Sequence, residues 1–328
     1  TDIAWEAAGG GGVTSLVENN SIWLGNDPTS TTDTASHSVA VGTTALDAIT
    51  TGDYNVAIGY DAGTALNSGH SNTAVGYQTL AAQTTADSNT AVGFHALLSN
   101  TSGNNNVMVG YRAGKYTDTG ANNTGMGNKA LTTNTSGGEN VAVGYKALKD
   151  NETASNNSAF GNHAMEDNTT GAGNTAHGKS ALNANTTGSY SIGVGFNAAT
   201  AVTTGSWTTA IGAYSLQTVT TNQNNTAVGG YSGAACTGQQ NVFIGSGAAQ
   251  NVTSCDKSVV IGYTAVGTGV MTGNENVVIG NTAGEDLTSG SCNVFVGSGA
   301  GANVTTGIKN VAIGDGALVT STTPNYNV

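Results

Sequence analysis

Apolar residues recur along this chain in short triplets, V-A-V, V-A-I or T-A-V, each closed by a glycine. NTAVGYQTL at 72–80 and NTAVGFHAL at 89–97 are two copies of the phrase, 17 residues apart. Taking the closing glycine as a reference gives Gly25, Gly42, Gly59, Gly76, Gly93, Gly110, Gly127, Gly144, Gly161, Gly178, Gly195, Gly212, Gly229, Gly245, Gly262, Gly280, Gly297 and Gly314. Of the 17 intervals between these 18 glycines, 15 are 17 residues long; Gly229 to Gly245 spans 16 and Gly262 to Gly280 spans 18. A short fixed period is the signature of a solenoid, in which each unit buries its faces only against its neighbours.

The columns of the repeat predict its elements. The residue before the reference glycine is apolar in every copy except His177. A small residue, usually Ala, precedes it, and Val or Thr comes before that. Alternation of β-branched residues predicts a strand with one face packed and the other close to a neighbour. Three residues after the glycine, Ala fills 14 of the 18 copies, often followed by Leu. Four residues before it stands Asn in 13 copies and Ser in four, with Thr208 the exception. Segments such as TSGNN and TTGSY supply turn chemistry. Each unit therefore predicts a strand, a glycine bend, a second short strand and a polar turn, with no room for a helix. The fold expected is all-β: a parallel β-roll or β-solenoid of about 18 rungs. Stacking would turn the Asn column into an Asn ladder. Residues 21–318 form the repeat; residues 1–20, with a GGGG run and Trp5, are expected as a connector, and residues 319–328 as a polar tail.

One coil of 17 residues is thin. It offers about four inward apolar side chains, and ordering its backbone and side chains costs on the order of 25 kcal/mol. If one Val/Ile column packs inside, a second is left to be covered. Three chains side by side would cover it, so a homotrimer is expected.

The phrases HSVAVGTTA (37–45), YNVAIGYDA (54–62) and KNVAIGDGA (309–317) resemble the head repeats of trimeric autotransporter adhesins, the YadA-like heads. The longer phrase with Asn, NTAVGY followed by a turn such as NTTG, is similar to repeats of bacteriophage tail fibres. The resemblance covers residues 21–318 and departs from the adhesin heads in its longer period. It implies trimers of left-handed parallel β-rolls and a structural, adhesive role. That role is the shaft or distal segment of a phage tail fibre on a virion, or the head of a bacterial surface adhesin. The partners implied are two further copies, other fibre or baseplate proteins through residues 1–20, and a glycan or protein of the host surface.

Composition narrows the rest. Eight Lys plus Arg against 20 Asp plus Glu give a net charge of −12. That argues against nucleic acid and against anionic membrane surfaces as partners. No apolar run approaches the ~18 residues of a membrane span. Cys236 and Cys255 fall in turns of adjacent rungs, where a disulfide and two separate thiols are both open. Cys292 lies two rungs from Cys255, too far for a bridge.

Catalytic constellations are not found in the sequence: carboxylates are scattered, and no nucleophile motif, phosphate loop or metal-spaced Cys/His set occurs. No enzyme and no cofactor is expected, and a polysaccharide-degrading tailspike ranks below a fibre. Tyr60, Tyr77, Phe94 and Tyr111 follow the glycine in four adjacent copies. This stripe is either a sugar-stacking surface or a packing ladder. His177 would hold an ion if its column faces a threefold axis; otherwise it is a satisfied core histidine. Ice binding would need T-x-T rows, whereas Thr comes here as adjacent pairs in turns, such as Thr50–Thr51 and Thr186–Thr187.

Overall fold

The computed structural model describes residues 15–18, 20–24 and 34–328. The GGGG run and Trp5 lie outside the described residues. The chain divides into two compact units, 1–160 and 161–328. Each is an all-β parallel solenoid, about 17 turns in total, with no helix among the described residues. The first unit opens with β1 (Ser15–Glu18), antiparallel to β2 (Ser21–Leu24). From β3 (Val39–Val41) to β10 (Ser158–Phe160) it repeats one three-residue strand per turn. The second unit does the same from β11 (Thr175–His177) to β19 (Val311–Ile313). Strands pair in parallel and in phase, Val39 with Val56 and Ala40 with Ala57. The 16- and 18-residue intervals keep this phase, Thr226 facing Val242 and Val259 facing Val277, so the length change is absorbed in the turn.

The faces of the strand differ from the sequence expectation. The central Ala points inward and is fully buried, as at Ala57, Ala91, Ala142 and Ala210. Both β-branched flanks point outward, because side chains two apart share a face. The core is instead the central Ala, the Ala and Leu past the glycine, and one further column: Ala142, Ala147 and Leu148, with Asn151, in one turn. Size is traded between rungs. Met108 fills the space left by Gly125, whose added Cβ would lie 2.4 Å from the Met108 sulfur. Phe295 packs likewise on Gly301, at 2.6 Å.

The expected second strand is absent among the described residues. After the glycine the backbone turns through left-handed residues that are mostly not glycine: Lys129 (φ 60°), Leu131 (φ 51°) and then Glu139 (φ 59°) in one turn. Each such residue costs roughly 1–2 kcal/mol in isolation. The return is that each one aims its N–H at a neighbouring rung. Lys129 donates to the Tyr111 carbonyl at 2.9 Å, Leu131 to Ala147 at 3.1 Å and Glu139 to Ala121 at 3.0 Å.

Two columns hold the rungs in register. The reference glycines stack on one another with φ of 125–146°. A Cβ on Gly127 would sit 2.4 Å from the Gly144 carbonyl oxygen. The Asn column forms the expected ladder, fully buried. Asn123 accepts the Asn140 backbone N–H at 3.0 Å on Oδ1, and its Nδ2 donates to the Gly137 carbonyl at 2.9 Å and to Asn106 Oδ1 at 3.1 Å. Residues 319–328, expected as a tail, extend the stack: the Val311 N–H donates to Asn327, and Asn327 donates to Asn310 Oδ1 at 3.1 Å.

Two substitutions separate backbone strain from stacking. Gly314 has φ 125° but nothing within 4 Å of an added Cβ. Gly314→Ala is expected to cost only about 1–3 kcal/mol of strain. Gly127→Ala adds overlap with a backbone carbonyl and should cost clearly more in a denaturant melt. In the ladder, Asn123→Ala strands several buried polar groups at about 1–3 kcal/mol each. Asn123→Ser should cost less, because Ser191 in the same column still accepts the Thr208 N–H, at 3.3 Å.

Candidate binding surface

The outer strand face carries a recurring row of exposed apolar side chains. The flanking columns lie side by side along each unit, with Ile58, Val107, Met126 and Phe160 exposed in the first and Ile192, Ile211, Ile244 and Ile313 in the second. The rows read T-x-V or V-x-I, so the T-x-T pattern of an ice-binding face does not form. Threonines of the polar turn spend their hydroxyls on the next rung, Thr186 donating to the Thr203 carbonyl at 3.1 Å.

His177 stands on this outer face and is exposed. The reading of it as a satisfied core histidine is therefore corrected: the flank of a three-residue strand cannot share the interior with the central Ala176. Among the described residues no group of three His, Cys, Asp or Glu side chains could hold a metal ion.

The aromatic stripe is brought together as expected, at the corner beyond the glycine. Tyr60 and Tyr77 lie 5.3 Å apart between centroids, Tyr77 and Phe94 5.2 Å, and Phe94 and Tyr111 5.4 Å, with planes within 13° of parallel. The Arg112 guanidinium sits 4.9 Å from the Tyr111 centroid. The rings use their faces on one another. Sugar stacking needs an open ring face, and this arrangement leaves mainly ring edges outward, which favours the packing ladder. In the second unit Tyr190 and Trp207, each five residues before a reference glycine, stack at 4.7 Å.

Cys236 and Cys255 are both buried free thiols, Cys236 donating to the Gly238 carbonyl at 3.8 Å and Cys255 to Asn241 Oδ1 at 3.5 Å; Cys292 is exposed. The neighbouring Cys236 thiol, and then burial, raise the Cys255 thiol above its ordinary range.

One polar column escaped the sequence reading. In the turn, a backbone N–H repeatedly donates to the side chain at the same place on the next rung: Ser36 to Asp53 at 2.8 Å, Asp53 to His70 at 3.0 Å, His70 to Asp87 at 2.7 Å and Asp87 to Asn104 at 2.8 Å. The Asp53 carboxyl is held below its ordinary value by the Ser36 N–H and then by the Ser36 hydroxyl. Asp, His, Asn and Ser all serve as acceptors, so no single letter marks the column. Ala121 and Gly138 offer it no side-chain acceptor, and it resumes where the Gly138 N–H donates to the Ser155 hydroxyl at 3.0 Å; these residues line a shallow groove with Thr119 and Ser136.

No family model, curated protein or solved structure matches this chain. No helix among the described residues is long and apolar enough to cross a membrane.

The ladder reading of the aromatic stripe makes a measurable demand. Tyr77 stacks on both sides, so Tyr77→Ala should destabilise by about 1–3 kcal/mol, two aromatic contacts at about 0.5–1.5 each. Tyr77→Phe keeps the ring and should melt within a few tenths of a kcal/mol of the parent.

Proposed function

We propose that the protein is a structural, adhesive fibre element: three copies packed side by side, forming the shaft or distal segment of a phage tail fibre that helps a virion attach to its host. The observation that carries this reading is the outward pair of flanking columns. A soluble monomer rarely exposes a contiguous apolar patch beyond a few hundred Å². Here Val, Ile, Met and Phe recur on every few rungs of each unit. Such a face is self-similar along the fibre direction, so identical copies cover it in any rung-to-rung match. Burial at ~25 cal/mol per Å² also supplies what a thin coil of Ala and Leu lacks.

The phage assignment rests on the resemblance of the Asn-containing phrase and on the longer period. The shorter V-A-V-G phrases support the alternative, the head of a bacterial trimeric surface adhesin. In both readings the role is mechanical and adhesive rather than catalytic, residues 1–20 connect to other parts of the assembly, and the site of action is the virion or the cell surface. An exposed His177 in the flanking column would meet its copies if that column faces a threefold axis, and there it could gather an ion. A polysaccharide-degrading tailspike is disfavoured by the regularity of the turns.

Mass in solution tests the reading. Light scattering should give about three times 32.3 kDa. Ile58→Lys combined with Ile211→Lys places charges on the outer face and should shift the protein to smaller species that keep a β-type circular dichroism spectrum. A folded wild-type monomer at micromolar concentration would remove the trimer.

A further inference from the structure

Five of the eight Lys and Arg residues of this acidic chain fall between positions 112 and 149. The fold concentrates them further. Arg112, Lys129 and Lys146 occupy the same place, two residues past the reference glycine, on three successive rungs. Lys115 and Lys149 share a second place on the first and third of those rungs. Rungs are about 4.8 Å apart, so the row runs along the direction of stacking with one cation per step.

The side chains are braced. Arg112 and Lys146 lie over the rings of Tyr111 and Tyr145, at 4.9 and 5.4 Å. Lys115 donates to the Tyr116 hydroxyl at 2.9 Å and sits 4.5 Å from its ring centroid. Lys149 pairs with Asp150 at 2.9 Å. Arg112 Nε is buried and has no hydrogen-bond partner. The positive field reaches neighbouring groups. His95 is lowered by burial and then by Lys115 and Arg112, and Tyr116 is lowered by its bond from Lys115. Like charges stacked one rung apart repel, so the row gains from an external anion.

We propose that this row binds an acidic polysaccharide carrying one carboxylate per sugar, lying along the direction of stacking. A linear ligand fits a linear row, and the charge density fits one cation per rung. Asn128, exposed between the cations, supplies a partner for sugar hydroxyls. A densely charged polymer such as DNA would instead meet Asp118, Glu139 and Glu152 of the same rungs, within a chain of net charge −12. The proposal extends the adhesive reading without depending on it: mass tests the assembly, and glycan binding tests the row.

The experiment is titration calorimetry of the full chain with polygalacturonate at low salt, with neutral dextran, double-stranded DNA and phosphatidylserine vesicles as comparators. The row residues have φ of 56–60°, so asparagine, which tolerates that region, is the substitution of choice. R112N/K129N/K146N should weaken binding about tenfold or more, and added salt should weaken it in the wild type. K115Q/K149Q, outside the left-handed positions, provides an independent loss if the triple variant fails to fold. K257N/K309N, at left-handed positions of the same kind, removes two charges elsewhere and should leave affinity unchanged. Wild type that does not bind polygalacturonate, equal loss in K257N/K309N, or equal affinity for DNA or vesicles would each overturn the proposal.

Discussion

The structure depends on one repeated contact: glycine backbone stacked on glycine backbone at the bend of every rung. With carbonyl oxygens 2.2–2.7 Å from where a Cβ would stand, no other residue fits between rungs. That closeness sets the phase, and phase makes every other column possible. Only in register do Asn side chains meet, rings stack and left-handed corners reach carbonyls on adjacent rungs. The short apolar core of Ala and Leu then needs to provide only part of the stabilisation, because much of it comes from polar ladders. These ladders are buried, and most members satisfy their neighbours, Thr117, Thr208 and the Asn185 Oδ1 being exceptions; satisfied buried polar networks rigidify a structure.

The polar ladders also vary along the chain. A buried column near the polar turn is apolar at Ile49 and Leu66, polar from Gln83 through Asn100, Asn134 and Asn151 to Asn168 and Asn185, and apolar again at Val202 and Val219. Within it Asn151 donates to Asn134 at 2.8 Å, and Asn185 to Asn168 at 2.7 Å. Thr117 interrupts it with a hydroxyl that has no partner. The same backbone thus accepts an oily or an amide core at one position, provided the neighbouring rung agrees.

Much of this was legible in the sequence. The period, the parallel stacking and the Asn ladder follow from the spacing of Gly and Asn alone. The direction of the strand faces did not, because Val, Ala and Val are all apolar and periodicity cannot say which side is inside. Only the volume of a 17-residue coil decides, and it admits Ala142 more readily than Val143. The left-handed corners were hidden because Lys129, Leu131 and Glu139 carry none of the Gly or Asn that usually marks such a conformation. The basic row was concealed by the net charge of −12: a sum over the chain says nothing about three cations set one period apart. The aromatic stripe was read correctly as a stripe, but the choice between ladder and ligand surface needed the ring planes.

Native-state hydrogen exchange tests the stacking account most directly. In it, the backbone N–H of a ladder Asn is held by the side chain of the rung before, as Asn72 by Asn55 and Asn89 by Asn72, both at 2.9 Å. These amides should exchange as slowly as the strand amides beside them, with protection near the global unfolding limit. Fast exchange at Asn72, Asn89, Asn123 and Asn140, with the strand amides still protected, would contradict the account.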